Sequence, residues 1–363
     1  MKLLLISTDI DHVEPYQYVG AHLRGAELRV ICANDCINLE AFEEHQIPIK
    51  KIHFSGWRSK SNINDIRQSI DDFQPDIVHV LRKKALLNTI PAMTESKAKL
   101  IVYRGIVGNL SFFDPVSLLS FLNPRVDRIV CVADAIRRHF VSMGFGPVKL
   151  NPEKLLTIHK GHVVEKYANV PKVDLSKYGV PADHRVIGFC GSMRPRKGIH
   201  NLVQAFSELD DKNTALLLVG DLNNDKVRDA IASSARTNKI FTVSKVPQAE
   251  ALSIAGSFDV ATMPSTKREG LPRALIESMA QGVPAVVTNI GGSPELVEHG
   301  KSGFVVPPND VSALRDALNK ILNAETLQLM GDSAAQRIKQ HFHVNDTIER
   351  NWNLYMQLLE RQS

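Results

Sequence analysis

What most constrains this chain is a recurrence: short apolar runs, each the length of a strand, alternate with stretches of helical periodicity. In the first half the runs fall at residues 3–7, 28–33, 77–81, 100–103 and 129–132. Runs of this length between helical segments are strands covered on both faces, which predicts a parallel sheet with helices on either side. A second series begins at Val186, with runs at 186–190, 215–219, 240–243, 260–263, 285–288 and 304–306. Between the two series, residues 167–183 lose periodicity and gather Pro171, Gly179 and Pro181, as a linker does. A chain of 363 residues also exceeds the size at which one core keeps growing. The expectation is an α/β protein of two doubly wound, Rossmann-like domains, residues 1–170 and 171–345, followed by an amphipathic helix over 347–360.

Composition narrows the class. With 44% hydrophobic and 23% charged residues the chain reads as globular rather than disordered. Cys32, Cys36, Cys131 and Cys190 read as reduced packing residues, and Cys32-x3-Cys36 lacks a second ligand pair, so no metal or other cofactor is expected. The start, MKLLLISTD, turns polar too early for a secretory core or a membrane span, which gives a cytoplasmic expectation. Of the net charge of +5, most lies in residues 1–170, with 22 Lys and Arg against 18 Asp and Glu. That excess is compatible with an anionic acceptor or a membrane surface but too small to demand nucleic acid. Residues 110–122, LSFFDPVSLLSFL, are apolar around Asp114 and Pro115, with Arg125 and Arg128 following. They read either as a core helix or as a peripheral membrane contact, and are too short to span.

In parallel sheets ligands sit beyond the carboxyl ends of the strands, here the loops 8–14, 79–84 and 104–109. His79, inside an apolar run, reads as a structural histidine. Arg104 ends a run and has two readings: a bidentate hold on an anionic acceptor, or an ion pair that closes its own loop. In the second half, the loop after residue 190 carries Gly191, Ser192, Arg194, Arg196, Lys197 and Gly198. Three cations in one turn repel one another, a cost that a diphosphate would relieve. Residues 260–282, VATMPSTKREGLPRALIESMAQG, join a strand, a loop and a helix expected over about 271–281, with Pro272 in its first turn and Gly282 ending it. The amides of Gly270, Leu271 and Arg273 at that helix start suit a phosphate, and Glu269 and Glu277 flank the spot with carboxylates suited to sugar hydroxyls.

Together these motifs, with LLLVGD at 216–221, GVPAVVTNIGGSPELV and GKSGFVVPPNDVSAL, resemble the family 4 retaining glycosyltransferases of GT-B fold and their E-x7-E segment. The resemblance covers nearly all of residues 186–325; before that it is one of pattern alone. It implies a cleft between the domains, and a last helix, 346–363, that crosses back onto the first domain. It implies that Lys197 and Arg194 are catalytic in neutralising a diphosphate leaving group, with Arg196 beside them, and that Glu269 holds the donor sugar and Glu277 the ribose. Gly191, Ser192, Gly270, Leu271, Pro272 and Arg273 would complete the donor site, and Arg104 would face the acceptor. The chain departs from the family in two places: Arg104 stands where relatives often carry histidine, and the first loop lacks paired glycines. The implied activity is hexosyl transfer from a nucleotide sugar to a hydroxyl of a glycan, lipid-linked or small-molecule acceptor, in polysaccharide or lipopolysaccharide synthesis. A nucleotide-sugar epimerase of similar fold and a non-catalytic partner subunit are the alternatives.

Overall fold

The structure is a computed structural model that describes residues 1–108, 110–144, 149–322 and 324–360. Asn109, at the end of the expected loop 104–109, and residues 361–363, at the end of the expected last helix, lie outside these. The chain forms two units, Met1–His162 with Val344–Ser363, and Val163–His343. Each is built on one parallel sheet.

The first sheet holds β1 (Lys2–Ile6), β2 (Glu27–Ala33), β3 (Ile49–Ile52), β4 (Ile77–Val80), β5 (Lys99–Arg104), β6 (Arg128–Cys131) and β7 (Leu155–Thr157) in the order β3-β2-β1-β4-β5-β6-β7. Leu3 to Ile6 at its centre are fully buried, as strands covered on both faces require. Two strands escape the apolar pattern, and both are edges. In β3, Lys50 and Lys51 are exposed, and an edge tolerates such charges because they discourage pairing with another sheet.

The second sheet holds β8 (Arg185–Cys190), β9 (Thr214–Val219), β10 (Ile240–Val243), β11 (Val260–Met263), β12 (Ala285–Thr288) and β13 (Gly303–Val306), in the order β10-β9-β8-β11-β12-β13. The strand order reverses between β8 and β11, which pair through Val260 and Ile187. A crevice therefore opens where these neighbours end, and the loop 191–198 and the loop 264–272 emerge side by side there.

The last helix, Val344–Glu360, belongs to the first unit. Its Tyr355 hydroxyl lies 2.9 Å from His79 Nδ1, and Thr347 Oγ1 donates to the His159 carbonyl at 2.8 Å. The helix Glu14–Leu23 meets it so closely at Gly20 that a Cβ there would lie 2.3 Å from Ile348. The unit junctions fall at 162/163 and 343/344 rather than at 170/171 and 345/346. Val164 is part of the second unit's core, the helix Glu165–Ala168 packs on that unit's helix Arg273–Ala280, and Glu165 pairs with His343 at 3.1 Å. Residues 110–122 form one short helix, Pro115–Leu118, capped by Asp114, rather than a helix along the stretch. No helix among the described residues is long and apolar enough to cross a membrane.

Candidate active site in the second unit

Beyond β8 the chain must turn sharply, and two glycines make the turn. Gly191 has φ 144° and its amide donates to the Val219 carbonyl at 2.9 Å. Gly220, after β9, has φ 141°, and a Cβ there would lie 2.1 Å from the Gly191 carbonyl oxygen. No side chain fits between these loops, so backbone is left to face the crevice. The Asn224 amide then holds the Met193 carbonyl at 2.9 Å, and a 3-10 turn over Pro195–Lys197 leads into the helix Ile199–Ser207.

That turn sorts the three cations by burial: Arg194 is exposed, Arg196 half-buried and Lys197 buried. Lys197 Nζ donates to Glu269 Oε2 at 2.7 Å and lies 3.6 Å from Met263 Sδ. Glu269 Oε2 also accepts from the Ser265 hydroxyl at 2.6 Å, with Arg196 3.9 Å away. Burial alone would raise the Glu269 carboxyl, but the adjacent ammonium and the Ser265 hydroxyl hold it below the usual range. Burial pulls the Lys197 ammonium below its own usual range, against the pull of Glu269 and with the help of the two arginines. An ammonium has three protons and a carboxylate two oxygens. Among the described residues, one Lys197 proton and Glu269 Oε1 have no protein partner.

Pro272 caps the helix Arg273–Ala280 from outside rather than standing in its first turn, with ψ 110°, and Gly282 follows the helix at φ 81°. Arg273 is exposed, while Gly270 and Pro272 are buried and Leu271 half-buried. Glu277 is buried one turn into the helix and holds Gln248 Nε2 at 3.0 Å and Arg273 Nε at 3.4 Å. The two carboxylates thus serve different neighbours: Glu269 the cation turn, Glu277 the helix Gln248–Gly256. The turn at Gly291 and Gly292 supports Glu269 from behind. A Cβ on Gly291 would lie 2.1 Å from the Glu269 carbonyl oxygen, and the Gly292 amide donates to the Gly270 carbonyl at 2.8 Å.

A cavity of about 500 Å³ opens beside the cation turn. It is lined by Gly191, Ser192 and Arg194 from one loop and by Asp221, Lys245 and Val246 from the loops after β9 and β10. Its size is that of a small-molecule site. Lys197, Glu269 and Glu277 lie outside the lining, but Cys190 lies in it. Burial pushes the Cys190 thiol up to about 12, and the Glu277 carboxylate adds to the shift. Apolar periodicity could not find Gly220, Asn224, Gln248 or Ser265; they act through turns and side-chain bonds in loops.

In the first unit Arg104 is buried and spends its guanidinium on its own loop. Nε donates to the Ile106 carbonyl at 3.0 Å, Nη2 to the Gly108 carbonyl, and the group lies 4.8 Å from the centre of the Phe121 ring. Burial brings it down to about 10. This is the loop-closing geometry, made with carbonyls instead of an ion pair. His79 is wholly buried, and burial brings it down to about 3, so it is neutral. The first loop, which lacks glycines, is fixed by charges instead. Glu14 takes Arg82 through both oxygens at 2.9 Å and Lys160 at 2.8 Å, and Lys160 also bonds Asp11. Among the described residues no three His, Cys, Asp or Glu side chains come together as a metal site would need.

Residues 172–340 match the family of glycosyl transferases group 1. That stretch is the second unit almost from end to end. Over 180 residues, 48% of the chain, the sequence is 29% identical to a capsular polysaccharide biosynthesis glycosyltransferase, CapM, of Staphylococcus aureus, of which it spans 47%. Over 190 residues, 50% of the chain, it is 30% identical to a D-inositol 3-phosphate glycosyltransferase of Corynebacterium urealyticum, of which it spans 45%. It is 24% identical over 222 residues, 58% of the chain, to an Escherichia coli UDP-Gal:alpha-D-GlcNAc-diphosphoundecaprenol alpha-1,3-galactosyltransferase, spanning 56% of it. The chain thus spans about half the length of the curated relatives it matches. Solved structures match throughout: a glycosyltransferase from Rickettsia africae superposes with a TM-score of 0.82 at 21% identity, covering 99% of this chain and 98% of that one. HepE of Anabaena, in complex with UDP and glucose, superposes with 0.79 at 20% identity, covering 98% and 100%. The fold is GT-B.

Proposed function

We propose that the chain is a retaining glycosyltransferase of the family 4 type, which moves a hexosyl group from a nucleoside diphosphate sugar to a hydroxyl of a glycan or lipid-linked acceptor in polysaccharide synthesis. The observation that carries this reading is the buried Lys197–Glu269 pair beside a glycine-edged cavity, set where the strand order reverses. In this reading the second unit binds the donor and the first the acceptor. The cavity takes the nucleoside, the Gly191 backbone approaches the diphosphate, and Arg194, Arg196 and the unpartnered Lys197 proton meet its oxygens. Glu269 Oε1 accepts from a donor hydroxyl, and Glu277 from the ribose.

As the bond from the anomeric carbon to the phosphate oxygen breaks, that oxygen gains charge. Fixed cations lower the energy of this state more than that of the intact donor, which is how binding becomes catalysis. The acceptor proton passes to the departing phosphate oxygen, on the same face, and the anomeric configuration is retained. Uridine diphosphate sugars are the first to test, because HepE was solved with UDP and one relative uses UDP-Gal. Purified protein given UDP-, GDP- and ADP-sugars with a lipid-linked acceptor, and read by NMR at the anomeric proton, tests the reading. Transfer with retention supports it. Inversion refutes the retaining assignment, epimerised donor points to an epimerase, and no turnover with nucleotide bound points to a non-catalytic subunit.

A further inference from the structure

Three loops leave the first sheet at its carboxyl edge and carry side chains that the donor chemistry does not use. After β3, Trp57 is 63% exposed, with Arg58 and Lys60 exposed beside it. After β4 come Lys83 and Lys84, at the start of the helix Lys83–Ala92. After β5, Phe113 is 97% exposed, followed by Leu118 and Leu119 at 43% and 40%.

These side chains form one surface. Lys83 Nζ lies 6.0 Å from the centre of a Trp57 ring, and Asn88 bonds both the Ser59 amide and the Gly56 carbonyl, which ties the first loop to the helix of the second. The third loop adjoins them, since β5 pairs with β4 in parallel, Val80 against Val102, and the two strands release their loops side by side at the carboxyl edge. Across residues 57–60, 83–84 and 111–119 there are four cations and one carboxylate. That carboxylate is spent as a helix cap.

The exposure is built rather than incidental. Ser117, Ser120, Phe121 and Leu122 face inward, while Phe113, Leu118 and Leu119 are turned out. Arg104 fixes both ends of the segment, bonding the carbonyls of Ile106 and Gly108 at its start and stacking on Phe121 at its end. An exposed phenylalanine, a tryptophan at interfacial depth and a ring of lysine and arginine suit a bilayer of negative surface potential: the aromatic rings enter the headgroup layer and the cations meet the phosphates.

We propose that the first unit docks on anionic phospholipid bilayers through Trp57, Phe113, Leu118 and Leu119, with Arg58, Lys60 and Lys83 meeting the lipid phosphates. Such docking presents the carboxyl edge of β3 to β5 to the membrane plane, where a lipid-linked acceptor would lie. The docking stands apart from the donor reading, because it needs no donor.

The full chain in a Trp352→Phe background, which leaves Trp57 as its one tryptophan, is mixed without nucleotide with vesicles of phosphatidylcholine alone or with about a third phosphatidylglycerol. Co-sedimentation with the anionic vesicles, together with a blue shift of Trp57 emission, is expected, and both weaken as salt rises. Phe113→Asp and Lys83→Glu each lower the partition coefficient about tenfold or more, with circular dichroism and nucleotide affinity unchanged. The proposal is overturned by absence of binding to anionic vesicles, by equal binding to both vesicle types, or by binding that survives both substitutions.

Discussion

Replacing Lys197 by alanine separates what this side chain does for stability from what it does for turnover. The substitution strands Glu269, 6% exposed in the parent, with the Ser265 hydroxyl at 2.6 Å and Arg196 at 3.9 Å as its remaining partners among the described residues. Removing one partner of a buried ion pair costs about 3–5 kcal/mol, and the remaining contacts put this case near the lower end, about 3 kcal/mol. For a unit of this size that lowers Tm by roughly 6–12 °C.

The pH dependence has a defined sign. In the parent the Glu269 carboxyl is lowered, so its contribution to stability is present above the unfolded carboxylate pKa and is lost as pH falls. In Lys197→Ala burial dominates and raises it, so the variant loses stability as pH rises through the unfolded value, about 4.3. The Tm gap between parent and variant therefore widens from acid to neutral pH. Adding Glu269→Gln removes the stranded charge and restores most of the lost Tm. Turnover behaves otherwise: a missing charge on the leaving group costs about 10² to 10³ in kcat, with a smaller effect on nucleotide affinity, and the double variant does not regain it. The assay pairs thermal unfolding at pH 5 and 7.5 with initial rates. A Tm gap that stays flat with pH, or a double variant that recovers activity, refutes the reasoning.

Gly220→Ala is expected to cost about 2–3 kcal/mol and to abolish nucleotide binding, because its Cβ would lie 2.1 Å from the Gly191 carbonyl oxygen at φ 141°; unchanged nucleotide affinity by calorimetry would count against the backbone approach. Arg104→Lys keeps a charge but loses the fork that bonds two carbonyls, so Tm falls by several degrees while acceptor KM holds; a large rise in KM at constant Tm would restore an acceptor-facing role. Transfer is expected to persist in EDTA, the cations of residues 194–197 doing what a divalent ion does elsewhere. Loss of rate that magnesium or manganese restores would overturn this.

Strand positions were legible where the interior decides them. Leu3–Ile6 and Leu216–Val219 are buried on both faces, and a continuous apolar run has no other use. Ile49–Ile52 was not legible, because an edge strand with two lysines reads as surface. The loop after β8 announced itself through crowded cations and glycines. Its sorting by burial did not, since it depends on Ser265 and on Met263 of another strand. The junction at 162/163 was hidden for a related reason: periodicity is lost only over 167–183, while Val164 and Tyr167 are buried through packing that comes from far along the chain. Arg104 stands at a strand end where ligands bind, and only the carbonyls of its own loop, which no composition encodes, show where its donors go.

The amide of Val344 donates to the carbonyl of His162 at 2.9 Å. The point where the chain leaves the first unit and the point where it returns are thus neighbours on one hydrogen bond. Residues 163–343 are topologically an insert, a cassette whose two ends meet, and the 172–340 stretch shared with the glycosyl transferases group 1 family lies wholly inside it. A block with adjoining ends can be exchanged without re-threading its host. Grafting a relative's cassette between His162 and Val344 would leave β1 to β7 and the closing helix with their own partners, so whatever the insert binds could be recombined as a module while the host sheet stays the same.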